Sequence, residues 1–318
     1  MIVSFLGRLA LGDGYSVRLM GVVNVSHESF FKGSVVRSVD EAIRVVGGMV
    51  SNGVDVIDVG GMSTAPYNRT WVSVDEELNR VVPIVRAIKR EFPDLVVSVD
   101  TFRSRVAEEA LNAGADVIND VTGLRGDPGM ARVVANHGAS VVIMAREVRP
   151  TTGLDPVTRT ITALRESISI ALNAGVDERR IVVDPGVGAW PPLEIDPALH
   201  GGEPLSPDYV RGDPRYPWYV WDSMLIMSVG RIRSELGRPV LIGISRKSFL
   251  TKLMRRNAPP EGRLYASVSA EAIAVLMGVD AVRTHNVAET RDAVRVAEAL
   301  RLCLNTRECP EGLVKFLA

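Results

Sequence analysis

Short apolar runs recur along this chain, bounded mostly by Gly, Asp or Asn: RLMGVVN (18–24), VDVIDVG (54–60), LVVSVD (95–100), ADVIND (115–120), SVVIMA (140–145), IVVDPG (181–186), PVLIGIS (239–245) and DAVRTH (280–285). They are nearly continuous in Val, Ile and Leu, the pattern of strands buried on both faces of a parallel sheet. Between them lie stretches of helical period at 38–52, 73–91, 103–113, 128–137, 158–174, 222–236, 267–277 and 289–304. Two of these open on capping boxes, Ser38-x-x-Glu41 and Ser73-x-x-Glu76. The corner from helix to strand also repeats: LNAGAD (111–116), LNAGVD (172–177), SNGVD (51–55) and LMGVD (276–280) each set a Gly where a helix ends in the left-handed region. Eight β runs alternating with eight helical ones predict a (β/α)8 TIM barrel of the α/β class, with a doubly wound sheet as second choice. A single domain over 1–318 then suffices. The exception to the rhythm is 187–220, rich in Pro, Trp, Tyr and Gly and too long for an ordinary βα loop. It reads as an insertion after strand six, either a lid or a packing addition remote from chemistry.

Composition narrows the class. The chain is 46% hydrophobic and 24% charged, with a formal net charge of −1, so it has no long-range attraction for nucleic acid or an anionic membrane, and neither is expected as a partner. No window approaches about 18 uninterrupted apolar residues, the length of a membrane span. Arg8 and Asp13 follow the short apolar start too closely for a good signal peptide, so a cytoplasmic location is expected. Cys303 and Cys309, without a CxxC pair or a Cys/His cluster, read as ordinary thiols. Gln is absent and Arg greatly outnumbers Lys, a bias that a hot habitat or a GC-rich genome would produce.

In such a barrel the C-terminal ends of the strands form the active face. Those ends carry Asn24, Asp58, Asp100, Asn119, Asp184, Lys247 just beyond Ser245, and Arg283 with His285. Asn24 hands over to a polar loop, Ser26-His27-Glu28-Ser29, able to fold over the mouth. Two carboxylates, an amide and a lysine suit a flat heterocycle with donors on one edge and acceptors on another. Arg283 and His285, two apart on a strand, point the same way and with Asn24 suit a phosphate, with Mg2+ in its company. Each residue has a plain structural alternative. Asp100 could be a helix cap, Asn119-Asp120 and Asp184-Pro-Gly turns, His285 a satisfied core histidine, and Arg246-Lys247 a solvated pair. Chance would have to place all of them at one end.

These stretches resemble the dihydropteroate synthase family, the pterin-binding barrel enzymes of folate synthesis. The resemblance rests on MGVVNVSHESF (20–30), DVIDVGGMSTAP (55–66), VSVDTFRSRVAEEALNAGADVINDVTG (97–123), VVDPGVG (182–188), GISRKSF (243–249) and VRTHNV (282–287), and runs from about 18 to 300. It implies a transferase that joins a dihydropterin pyrophosphate to an arylamine. By position it implies that Asp100, Asn119 and Asp184 bind the pterin ring with Lys247 on its carbonyl side. It further implies that Asn24, Arg283 and His285 hold the pyrophosphate and Mg2+, and that Thr64 and Ser245 face the aminobenzoate. Met144 and Val121 would flank the ring, although by shape alone both read as core. Charge on the leaving group would be neutralised by Arg283, His285 and Mg2+ while the methylene cation delocalises into the pterin. The family's habit implies a homodimer.

The departures fall on the acceptor side and the loops. Ser63-Thr64-Ala65-Pro66 stands where the family usually has Ser-Thr-Arg-Pro, and Ala189-Trp190-Pro191 where it has Phe-Gly-Lys. His27-Glu28 replaces Pro-Asp, Ala145 follows Met144 where His is common, and Asn286 stands for a frequent Asp. A larger arylamine, such as the ribosylated aminobenzene phosphate of methanopterin pathways, is then an alternative acceptor. Two other readings are a methyltetrahydrofolate–corrinoid methyltransferase, which has no use for a pyrophosphate site, and a non-catalytic pterin-binding paralogue.

Overall fold

The computed structural model of the chain describes residues 1–26, 35–63, 71–151, 153–188, 191–200, 203 and 215–304. An antiparallel hairpin comes first, β1 Val3–Leu6 with β2 Leu9–Gly12. Eight parallel strands follow: β3 Arg18–Asn24, β4 Val56–Gly60, β5 Val96–Asp100, β6 Val117–Asp120, β7 Ser140–Met144, β8 Ile181–Asp184, β9 Leu241–Gly243 and β10 Ala281–Thr284. Their order is β8-β7-β6-β5-β4-β3-β10-β9, and a parallel bridge from Val183 to Val240 joins the two ends into a barrel. Between the strands lie α1 Val39–Ser51, α2 Val74–Glu91, α3 Ser104–Asn112, α4 Met130–Asn136, α5 Pro156–Asn173, α6 Pro197–His200, α7 Trp218–Met227, α8 Val229–Leu236, α9 Phe249–Leu253, α10 Leu264–Leu276 and α11 Val287–Leu304. Each of the eight apolar runs of the sequence contains a barrel strand, so the α/β barrel is the fold.

Strand alternation divides the apolar residues into two cores. Ile57, Val59, Val97 and Val99 face outward and pack under Val81, Ile84, Val85 and Ile88 of α2. Met20, Val56, Val96, Val117, Val142, Val182, Leu241 and Ala281 face inward at the opposite end from the strand C-termini, and Leu6 and Leu11 of the hairpin join them as a plug. Both leucines are wholly buried, and removing each from water contributes roughly 1.5–3 kcal/mol. The hairpin is thus a structural stopper, which leaves the other mouth for chemistry.

The caps form by halves. Ser38 Oγ accepts from the Glu41 N–H and Ser73 Oγ from the Glu76 N–H, both at 3.1 Å. The glutamates do not close their boxes: Glu41 instead takes the Arg37 N–H at 2.8 Å, and Glu76 pairs with Arg80 at 2.6 Å. The thiol expectation for Cys303 is corrected, because Cys303 is disulfide-bonded. The chain has one other cysteine, Cys309, outside the described residues. Among the described residues no helix is long and apolar enough to cross a membrane.

Candidate active site

The strand register sets a row of side chains around the C-terminal mouth. Asn24 pairs with Gly60, Gly60 with Asp100, and Asp100 with Asn119. Further round, Met144 pairs with Asp184, and Arg283 with Gly243. Glycine at 60 and 243 leaves room: a methyl on Gly60 would lie 3.4 Å from Asn24 Oδ1 and 3.8 Å from Asp100 Cβ, and one on Gly243 would lie 3.8 Å from both Lys247 Nζ and Arg283 Cβ. The structure therefore brings Asn24, Asp100, Asn119, Asp184, Lys247, Arg283 and His285 to one end of the barrel. Thr64 lies outside the described residues, as do His27, Ala65 and Trp190.

Asp58 is the hub of this mouth, deeper in the barrel than the strand ends and wholly buried. Its Oδ2 accepts from Asn119 Nδ2 at 3.1 Å and from Arg283 Nε at 2.6 Å, while Arg283 Nη2 donates to Asp100 Oδ2 at 2.8 Å. With its amide nitrogen on Asp58, Asn119 presents its carbonyl oxygen as an acceptor. Asp100 Oδ1 and Asp58 Oδ1 are buried without a hydrogen-bond partner among the described residues, and a buried carboxylate oxygen left open suits a donor brought by a ligand. Asp184 Oδ1 accepts the Gly186 N–H at 2.7 Å, and Lys247 Nζ donates to the Val187 carbonyl. Ser245 Oγ accepts the His285 N–H and Asn286 Nδ2, both at 3.2 Å, so its hydroxyl oxygen braces the β10 loop.

The electrostatics follow from burial. Desolvation pushes the Asp100 carboxyl up to about 7 against the pull of Arg283, and the charge on Asp58 adds to the rise. Burial also raises Asp184, opposed by Lys247 and the Gly186 N–H. Burial would lower Arg283, but Asp58 and Asp100 outweigh it, and the guanidinium stays charged. Burial drives His285 down to about 3, helped by Arg283, Arg246 and Lys247. It is therefore a neutral hydrogen-bonding ring at physiological pH, where the sequence reading made it a second cation.

Arg246 is no solvated group. It is buried, with a left-handed φ of 59°. Its N–H donates to Ser267 Oγ at 2.8 Å, and its guanidinium donates to Asn286 Oδ1 and to the carbonyls of Pro260 at 3.0 Å and Glu261 at 3.1 Å. This clamp holds the strained turn that carries Lys247 into the mouth. A second buried pair, Arg103 with Glu77 at 2.7 Å, also holds the Val72 carbonyl and lies over the Trp71 ring, so it fixes the chain where it enters α2. Neither role was legible in the sequence, since an Arg beside a Lys, or one opening a helix, is most often at the surface.

An eight-stranded barrel with its polar groups gathered at the C-terminal mouth is the architecture of an enzyme. The model of the family described as pterin binding enzyme matches residues 20–198 and 221–285, and the chain belongs to that family. A dihydropteroate synthase of Bacillus subtilis is 34% identical over 89% of this chain and 88% of its own, and one of Clostridium beijerinckii is 34% identical over 93% and 98%. A dihydropteroate synthase of Coxiella burnetii, solved in complex with pteroic acid, superposes with a TM-score of 0.75 at 31% identity, covering 94% of this chain and 98% of its own. One from Xanthomonas albilineans, solved with 7,8-dihydropteroate, has a TM-score of 0.72 at 31% identity, covering 95% and 99%. The chain is a transferase of the dihydropteroate synthase type, and the methyltransferase and non-catalytic readings give way to it.

Proposed function

We propose that the chain condenses 6-hydroxymethyl-7,8-dihydropterin pyrophosphate with p-aminobenzoate or a related arylamine, releasing pyrophosphate. The observation that carries this reading is the convergence of Asp100, Asn119, Asp184, Lys247 and Arg283 on one mouth, with the buried Asp100 Oδ1 oxygen lacking a hydrogen-bond partner among the described residues. Asp184 and Asp100 accept from the N–H edge of the pterin, Asn119 orients it, and Lys247 donates to its carbonyl side. Arg283, through donors not committed to Asp58 and Asp100, takes the pyrophosphate together with the neutral His285 ring. The methylene C–O bond breaks with its electron pair passing to the pyrophosphate, the cation spreads into the pterin, and the arylamine lone pair forms the C–N bond as the nitrogen sheds a proton. In this reading Ser245 faces the acceptor and Met144 with Val121 flanks the ring, while Thr64, outside the described residues, keeps the acceptor role that the family resemblance implies for it.

Mg2+ fits this reading. The Asn24 carboxamide oxygen, beside Gly60, is the kind of hard donor Mg2+ uses when substrate oxygens and water complete its octahedron. When bound, the ion supplies charge neutralisation on the pyrophosphate.

The same reading takes the chain as one pterin-binding unit working in the cytoplasm as a homodimer. The dimer is supported by the exposed apolar residues Tyr265 (83%) and Ile273 (42%) on α10, Met227 (58%) on the neighbouring α7, and Val296 (61%) and Leu300 (55%) on α11.

The test is pyrophosphate release from the pterin pyrophosphate, first with p-aminobenzoate and then with the ribosylated aminobenzene phosphate. Release with either amine is expected, and the faster one identifies the acceptor. No release with any amine would overturn the reading.

A further inference from the structure

The insertion after β8 is not remote from chemistry. Its first part docks on the loop that follows β7. The Leu193 N–H donates to the Glu147 carbonyl at 2.9 Å and the Glu194 N–H to the Val148 carbonyl at 3.4 Å, a short ladder between two βα loops. Arg146 locks it. Arg146 and Asp196 form an ion pair in which each side chain is only 2% exposed. The same guanidinium donates to the Pro191 carbonyl at 2.8 Å and to the Val121 carbonyl, at the end of β6, at 3.2 Å. Arg149 adds an exposed pair to Glu194 at 2.6 Å, and His200 Nε2 lies 3.0 Å from the Leu193 carbonyl. Burying an ion pair is worthwhile only when geometry and extra hydrogen bonds satisfy both partners. Here one Arg satisfies the insertion and the barrel rim together.

What this clasp delivers is Leu199. That side chain packs against a cluster separate from both barrel cores, made of Met62, Val72, Phe102, Val121 and Met144. The cluster abuts the polar mouth on three adjacent strands: Phe102 is two residues beyond Asp100, Val121 two beyond Asn119, and Met144 pairs in register with Asp184. A methyl on Gly186 would come within 3.3 Å of Met144 Cγ, so Met144 is held from the Asp184 side as well. The match to the family model breaks between 198 and 221. Leu199 is thus the first residue past the first matched stretch, and it is set against the apolar side of the mouth.

We propose that Leu199 is a positioning residue for the pterin ring. Clasped in place by Arg146 and Asp196, it buttresses the wall of Met144, Phe102 and Val121 that takes the ring's apolar face. This deepens the pterin reading above and rests on it. A cluster open on its outer side would let Met144 and Phe102 change rotamer, and the ring would lose a fixed surface while its polar edge contacts stayed in place.

The experiment compares wild type, Leu199→Ala, Leu199→Met and Asp196→Asn. It measures the affinity for 6-hydroxymethyl-7,8-dihydropterin by calorimetry, KM and kcat for the pyrophosphate ester, and the melting temperature. Leu199→Ala is expected to weaken pterin binding and raise its KM by about fivefold to tenfold, the scale of one aliphatic contact, with kcat within about twofold of wild type. Leu199→Met, which keeps the volume, should restore the affinity. Asp196→Asn should reproduce the alanine phenotype, and the double variant Leu199→Ala with Asp196→Asn should be no worse than either single one, because both act through one contact. If Leu199→Ala lowers the melting temperature but leaves pterin affinity and KM at wild-type values, the residue is only packing and the proposal falls. If the wild type binds no pterin, the functional reading falls with it. Should Asp196→Asn fail to fold, the two Leu199 variants decide the matter alone.

Discussion

Replacing Asp58 with Asn tests how the mouth is wired, because it predicts two effects of opposite sign. The native carboxylate is wholly buried and receives Asn119 Nδ2 at 3.1 Å and Arg283 Nε at 2.6 Å. Asn keeps the shape and one acceptor but removes the charge. A hydrogen bond to a charged group contributes about 1.5–3 kcal/mol. Arg283 keeps its 2.8 Å contact with Asp100, so the loss stays below the 3–5 kcal/mol or so of a buried ion stripped of its partner. Pterin affinity on the alkaline side of neutrality should therefore fall by about 2 kcal/mol, roughly thirtyfold. The pH dependence moves the other way. The ligand's N–H edge needs Asp100 as a carboxylate, and that carboxyl stands at about 7, raised by burial and by the Asp58 charge against the pull of Arg283. In the wild type, binding is therefore present above that pH and lost as pH falls through it. With Asn at 58 the repulsion is gone, the Asp100 carboxyl drops, and the acid limb shifts to lower pH. Calorimetric titration of the free pterin alcohol on both sides of neutrality measures both effects. Unchanged affinity, or an acid limb that stays or moves up, would refute the wiring.

Three further predictions follow the same logic. Asp184→Ala should abolish pterin binding, a loss of roughly 2–5 kcal/mol for a buried charged hydrogen bond, and an unaltered calorimetric affinity would remove Asp184 from the ring site. Arg283→Ala should weaken both pterin alcohol and pyrophosphate ester, since Asp100 loses its cation, but the ester much more, whereas equal losses would put the anion elsewhere. Glu271 is buried beneath β10, accepts from Thr290 at 2.8 Å and stands at about 7 against 4.5 for an ordinary glutamate, raised by desolvation. The folded state thus holds an extra proton between those values, and this contribution to stability is present below about 4.5 and lost as pH rises through about 7. Glu271→Gln should accordingly gain unfolding free energy over wild type on the alkaline side, by on the order of 1–3 kcal/mol in denaturant titrations, and little on the acid side. Equal changes at both would show that Glu271 is charged throughout.

The sequence by itself determined the barrel. Unbroken Val, Ile and Leu can be buried only in strands covered on both faces, and their alternation with helical stretches leaves few topologies. It also determined which rim bears chemistry, because Asp100, Asn119, Asp184 and Arg283 stand at strand ends that a parallel barrel must bring to one side. It did not determine the N-terminal plug, whose strands of four residues each give too short a pattern to separate from a loop. Nor could it find the wiring of the mouth. Asp58 lies 61 residues from Asn119 and 225 from Arg283, and Arg146 lies 50 from Asp196. These pairs are chosen by the shear of the sheet and the docking of loops, which carry no local periodicity. Whether His285 is charged was likewise decided by burial, since the same imidazole in water would titrate near neutrality. Local patterns fix what must be buried and where strands end, whereas distant charges meet, and set one another's protonation, only once the chain has closed on itself.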